Sequence, residues 1–176
     1  MKHALVVTLV GPDRPGIVER LAEVVAAHEA DWLESRMANL AGQFAGIVRV
    51  DVDAARRETL AEALEALAGD SLALTVAEGR ADPSRAGSPE GTRLVLELTG
   101  LDHPGIVRDV SGALADCGVS VESLETERAS GSMSGETLFR ARATLALPEG
   151  VTVDTVDAAL QTVSAGLMID VVPVED

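Results

Sequence analysis

The side chains of this chain that could carry chemistry are few and poorly grouped. His3, His28 and His103 show no metal-ligand spacing with one another or with Cys117. Cys117 has no base signalled nearby to activate it, and inside an apolar-periodic stretch it reads as a small buried side chain. Asp13 and Asp102 are the acid/base candidates, because each lies in a Gly/Pro loop, but each also precedes a helix start by a few positions. Turn formation or capping is the better reading of both. Arg14 and His103 stand at the lips of the same two loops, where a cationic side chain can meet a carboxylate or simply face solvent. The stretch Gly11 to Gly16 has neither the lysine of a P-loop nor the Gly-x-Gly-x-x-Gly of a dinucleotide loop. No catalytic residue, metal or cofactor is expected.

The two loops are copies of one another. Gly11-Pro12-Asp13-Arg14-Pro15-Gly16-Ile17-Val18 returns as Gly100-Leu101-Asp102-His103-Pro104-Gly105-Ile106-Val107, 89 residues later, and seven of the twenty positions from Gly11 to Ala30 are identical in the repeat. Both turn chemistry and the periodicity that follows recur, so the chain is a duplication. Each loop leaves an apolar strand and enters a helix. Pro15 and Pro104 suit a first helical turn, where their missing amide costs nothing. Gly11 and Gly100 are expected to adopt backbone angles closed to other residues, and Gly16 and Gly105 to let something approach the first turn. Free amides and the positive helix end make a modest anion-binding surface, although a tight strand-to-helix connection needs no ligand to explain it.

Each repeat supplies the elements that position its loop. In the first, His3 to Val10 reads as a buried strand and Pro15 to about His28 as a helix with Ile17, Leu21, Val24, Val25 and His28 on one stripe. His28 ends that stripe, as a cap or at the core edge. A strand from Asp31 to Asn39, a turn from Leu40 to Gly46 and a half-buried strand from Ile47 to Asp53 follow. Asp53 is positioned to cap a helix from Ala54 to Ala68, and Leu72 to Val76 closes the unit. The second repeat runs as strand Thr92 to Thr99, helix Pro104 to Cys117, strand Val119 to Arg128 and a tip from Ala129 to Glu136 that reads as a mobile hairpin end. Strand Leu138 to Leu147, a helix from Val153 to Ser164 capped by Thr152, and strand Leu167 to Val172 complete it. The predicted fold class is α+β: two ferredoxin-like βαββαβ units, each an antiparallel four-stranded sheet with two helices on one face. Residues 1–78 form the first domain, 79–91 a solvated linker and 92–176 the second. One sheet face in each unit lacks a cover of its own, so the units are expected to pack as an internal pseudo-dimer and the chain to form a homodimer.

Composition narrows the partners. The cores must be aliphatic, since Trp32, Phe44 and Phe139 are the only aromatic residues apart from histidine. A formal net charge of -15 opposes approach to nucleic acid or an anionic membrane, and the basic pair Arg56-Arg57 is surrounded by acids. Direct nucleic-acid and membrane binding are therefore not expected. The single cysteine, the want of a signal-peptide pattern and the shortness of every apolar run lead to an expectation of a cytoplasmic protein.

Paired units that open with Gly-x-Asp-x-Pro-Gly-Ile-Val resemble tandem ACT domains. The first is similar to the glycine cleavage system transcriptional repressor family, through Gly11 to Val18 and through Glu34-Ser35-Arg36-Met37-Ala38-Asn39-Leu40-Ala41-Gly42-Gln43-Phe44. The second carries the Gly100 to Val107 loop and Leu138-Phe139-Arg140-Ala141. The resemblance implies a non-catalytic sensor of amino acids or similar small molecules, bound commonly where two units abut. It also implies ligand-binding residues in the first loop and at the start of the second strand. These carry over to Gly11, Asp13, Arg14 and Gly16 with Asp31, and to Gly100, Asp102, His103 and Gly105 with Ser120. Amino-acid-binding members often have asparagine at the second-strand position; Asp31 would repel a ligand carboxylate but receive an ammonium. A regulator of amino-acid metabolism, acting on transcription through a protein partner, is the expected function. The alternative is a protein-interaction module whose ligand loops have degenerated.

Overall fold

In the computed structural model, residues 2–69, 71–79, 92–130, 137–163 and 166–174 are described. The chain divides into two compact units, Met1–Ala86 and Gly87–Asp176. Residues 80–91 of the expected linker (79–91) and 131–136 of the expected hairpin tip (129–136) lie outside the described residues, while Ala129 and Ser130 belong to a strand and not to a tip.

Unit 1 consists of β1 (Lys2–Pro12), α1 (Ile17–Ala27), β2 (Asp31–Leu40), β3 (Gln43–Asp53), a 3-10 turn (Ala54–Arg56), α2 (Arg57–Glu65) and β4 (Ala73–Glu78). Unit 2 repeats it with β5 (Arg93–Leu101), α3 (Ile106–Asp116), β6 (Ser120–Ser130), β7 (Thr137–Ala146), α4 (Val153–Gln161) and β8 (Leu167–Pro173). The sheets have orders β2-β3-β1-β4 and β6-β7-β5-β8, and every pairing is antiparallel. This is the anticipated pair of ferredoxin-like units, each with its central strands hydrogen-bonded on both sides. Even the irregularities are duplicated: β2 bulges between Trp32 and Glu34, and β6 between Val121 and Ser123, 89 residues on.

Alternation along the central strands shows where the core sits. Leu5, Val7 and Leu9 of β1 and Val48, Val50 and Val52 of β3 are buried beneath Ile17, Leu21 and Val25 of α1 and Leu60 and Leu64 of α2. The matching core of unit 2 contains Leu94, Leu96 and Leu98 beneath Ile106, Val110, Leu114, Val156 and Leu160. Fully burying each such side chain stabilises the fold by about 1.5–3 kcal/mol. The other sheet face has no helix over it, so Val10 and Ile47 are left nearly half exposed there.

Several local expectations need correction. The helices begin at Ile17 and Ile106, not at the prolines, because the capping residues Gly16 and Gly105 have φ of 88° and 98°, outside helical geometry. Asp53 makes no capping hydrogen bond; the chain winds through a 3-10 turn before α2. The expected turn from Leu40 to Gly46 shrinks to Ala41 and Gly42, both with positive φ, and Phe44 and Gly46 belong to β3. Thr152 does cap α4, its hydroxyl accepting from the Thr155 amide at 3.3 Å. His28 and Cys117 are the equivalent C-caps of α1 and α3, and His28 Nδ1 donates to the Val24 carbonyl at 2.8 Å.

Candidate functional site

The strand-to-helix loops are built by two different uses of glycine, and they are the reverse of the expected ones. Gly11 lies within β1, where a Cβ would meet the Ser71 carbonyl oxygen at 2.3 Å; at Gly100 it would meet the Gly166 carbonyl oxygen at 2.6 Å. These two glycines permit a close backbone approach. Gly16 and Gly105 supply left-handed geometry instead, and the space around Gly16 is open, with Glu19 Oε2 the nearest atom to a Cβ at 3.8 Å. Each glycine carbonyl then accepts the first helical bond, from Arg20 and Asp109 respectively.

Asp13 and Asp102 are neither caps nor isolated acids. The Asp13 amide donates to Gly42 O at 2.9 Å, and its carboxylate accepts from Asn39 Nδ2 at 2.6 Å. The Asp102 amide likewise donates to Thr137 O at 2.9 Å, while its carboxylate pairs with Arg128 Nη2 at 2.7 Å. Asn39 and Arg128 are again 89 residues apart. Each loop is thus clasped to the hairpin between the second and third strands of its own unit, and one amide of the supposed anion cradle is already used. Asn39 and Arg128 had no role assigned from sequence. Their common offset from the two aspartates was the available signal, and only the strand pairing shows that they end up beside them.

The lips differ between the units. Arg14 and Arg20 border a dimple of about 10 Å³ above Leu9, Ile17 and Leu72 in unit 1. In unit 2 the equivalent residues are His103, whose Nδ1 lies 3.2 Å from the Pro104 carbonyl, and Asp109. Asp109 accepts from Arg108 Nε at 2.8 Å, and that hydrogen bond holds its carboxyl below the usual carboxylate range.

The structure does not bring Asp31 or Ser120 to the loop of its own unit. Asp31 pairs across the sheet with Asp51, which pairs with Ala4, seven residues before Gly11. At about 3.3 Å per residue, this separates the two by roughly 23 Å. Ser120, through Ala146 and Arg93, stands seven residues from Gly100 in the same way. Asp31 also has a partner: Lys2 Nζ donates to it, a contact that raises the Lys2 pKa.

No group of three or more His, Cys, Asp or Glu suited to a metal occurs among the described residues, and none of their helices is long and apolar enough to cross a membrane. What the loops present is a set of polar groups around a helix start, with no nucleophile and base in contact.

Comparison with known proteins agrees with this arrangement. The family model of the ACT domain matches residues 3–77. A structure of an unknown protein from Galdieria sulphuraria is 31% identical, covers 99% of this chain and 100% of its own, and superposes with a TM-score of 0.86. The chain belongs to the ACT-domain family. The crystal structure of a candidate glycine cleavage system transcriptional repressor shares the fold over 100% of this chain and 99% of its own, with a TM-score of 0.71 at 15% identity. No curated protein matches the sequence. The tandem ACT organisation accounts for the duplicated loops, clasps, bulges and caps.

Proposed function

We propose that this protein is a non-catalytic regulatory sensor that binds an amino acid or a similar small molecule and passes its state to a partner protein. The observation that carries the reading is the loop clasp, kept in both units although its chemistry has changed from Asp13 with Asn39 to Asp102 with Arg128. A clasp holds the helix start and its polar groups in one place whether or not a ligand is present, which lowers the ordering cost of binding. Because Asp31 and Ser120 lie at the far end of their own sheets, a ligand held at a loop does not reach the second-strand residue of the same unit. The open β2 and β6 edges and the exposed apolar patch of unit 1 favour a homodimer. Regulation of transcription in amino-acid metabolism, through a partner, is consistent with the fold shared with the candidate repressor and with a net charge of -15 that disfavours direct contact with DNA.

Thermal melting in the presence of each of the twenty amino acids tests the reading. A ligand at a hundred times its Kd raises stability by about 2.7 kcal/mol. Gly16→Leu and Gly105→Leu, which crowd the two helix starts, should remove that response from the unit that binds. The second reading, an interaction module with degenerate loops, is favoured by one specific feature, the exposed apolar patch of Val10 and Ile47 on the open face of unit 1, and gains if folded protein responds to none of the twenty.

A further inference from the structure

β8 is an edge strand with large apolar side chains on both of its faces. Leu167, Ile169 and Val171 pack against the core of unit 2, while Met168 and Val172 on the open side are 77% and 44% exposed, and Val174 continues their line. A strand that is apolar on both sides has the composition of one covered on both. The matching edge of unit 1 differs. In its pairing with β1, β4 places Ala73, Thr75 and Ala77 where β8, in its pairing with β5, places Met168, Asp170 and Val172.

The backbone of β8 is open over a defined length. The Val174 amide donates to the Arg93 carbonyl at 2.9 Å, so in the antiparallel register Val172, Asp170 and Met168 also bond to β5. Leu167, Ile169 and Val171 therefore turn their amide and carbonyl groups away from the sheet. Pro173 holds the next outward position but has no amide hydrogen, which ends the ladder that a further strand could form. Charge marks the middle of this stretch. Asp170 lies directly across from Glu97, a like-charge pair; Arg142 meets Glu97 at 3.7 Å, whereas Asp170 has no ion pair among the described residues.

We infer that β8 is the docking edge for a partner protein, which adds an extended segment with a lysine or arginine between two apolar residues on the open side. The backbone of the segment pairs with Leu167, Ile169 and Val171, its basic side chain meets Asp170, and its apolar side chains cover Met168 and Val172. A second copy of β8 fits less well, because the two-fold register that sets Met168 against Val172 also sets Asp170 against Asp170. The inference gives a surface to the partner-binding half of the proposed function and does not depend on the amino-acid half.

Fluorescence anisotropy of a labelled seven-residue peptide, alternating threonine with valine, lysine and valine, tests it on the full chain. The peptide should bind saturably at one site per chain. With glutamate in place of lysine it should bind at least about threefold more weakly, and Asp170→Asn should weaken the lysine peptide to a similar degree. Met168→Lys and Val172→Lys each set a cation beside the incoming lysine, and either should abolish binding in protein that melts as the parent does. Ala77→Lys, on the matching edge of unit 1, should leave binding unchanged. N-methylation of the peptide amides that face β8 keeps every side chain and should remove binding. No binding of the lysine peptide to folded protein, or equal binding of the glutamate or N-methylated peptide, would overturn the inference, and a melting response to an amino acid in the same sample would show that the sensor reading survives it. A parent mass of twice 18.2 kDa that falls to 18.2 kDa in Met168→Lys would also overturn it, by giving the edge to a second copy.

Discussion

The open sheet faces of the two units have the same backbone, but charge covers more of the second than of the first. On unit 1 the helix-free side carries Val6, Thr8 and Val10 of β1, Arg36 and Ala38 of β2, Ala45, Ile47 and Arg49 of β3, and Thr75 of β4, with Arg49 paired to Glu34 at 3.6 Å. On unit 2, Glu97 replaces Thr8, Glu127 replaces Ala38, Arg140 and Arg142 replace Ala45 and Ile47, and Asp170 replaces Thr75. Arg140 pairs with Glu127 at 3.4 Å and Arg142 with Glu97 at 3.7 Å, so the second face is a solvated charge ladder. A duplicated fold has therefore kept its cores, caps and clasps while letting its exposed sides diverge. The apolar patch of Val10, Ala45 and Ile47 on unit 1 is suited to being covered and the charged face of unit 2 to meeting water.

The sharpest way to break the equivalence of the units is through the close-approach glycines, where the largest loss of stability is expected. Gly11→Ala should cost about 1–3 kcal/mol, because a backbone carbonyl blocks the new methyl group, and Gly100→Ala should cost a similar amount. Denaturant unfolding checks both, and equal losses would show that the shared loop geometry matters equally to each half. Gly16→Ala and Gly105→Ala meet no backbone atom. They should cost about 1–2 kcal/mol, the conformational penalty of left-handed geometry alone, and asparagine should be tolerated better than valine at either place.

Asparagine 39 and arginine 128 separate the clasps. Asn39→Ala should lose about 1 kcal/mol by urea unfolding, since an exposed hydrogen bond from an uncharged amide to the Asp13 carboxylate disappears. Arg128→Ala should lose up to about 1 kcal/mol, and that loss should shrink in high salt whereas that of Asn39→Ala should not. The smallest effect on folding is expected on the open faces: Ile47→Arg, the residue of unit 2, should change monomer stability by less than about 0.5 kcal/mol. Light scattering gives that variant its use. If the unit 1 face is buried between copies, Ile47→Arg should move the mass toward 18.2 kDa, and Arg142→Ile should not.

Much of this architecture was legible in the sequence because hydrophobic period and turn residues are local signals. The loop repeat at 89 residues and the stripes of Leu21 and Leu114 led to both βαββαβ units. What the loops do was less legible, for a physical reason. A glycine can answer a need for space or for positive φ, and only the partner backbone distinguishes them: Ser71 and Gly166, brought in by the last strands, decide Gly11 and Gly100. The aspartates were read as caps because their partners lie 26 residues further along the chain, across a hairpin.

Isothermal titration of the folded chain with each of the twenty amino acids tests the central claim most directly. The sensor account predicts saturable heat from at least one of them at defined stoichiometry, with the response lost in the loop variant of the binding unit. No heat from any of the twenty would contradict it and leave a tandem ACT protein that works through its surfaces.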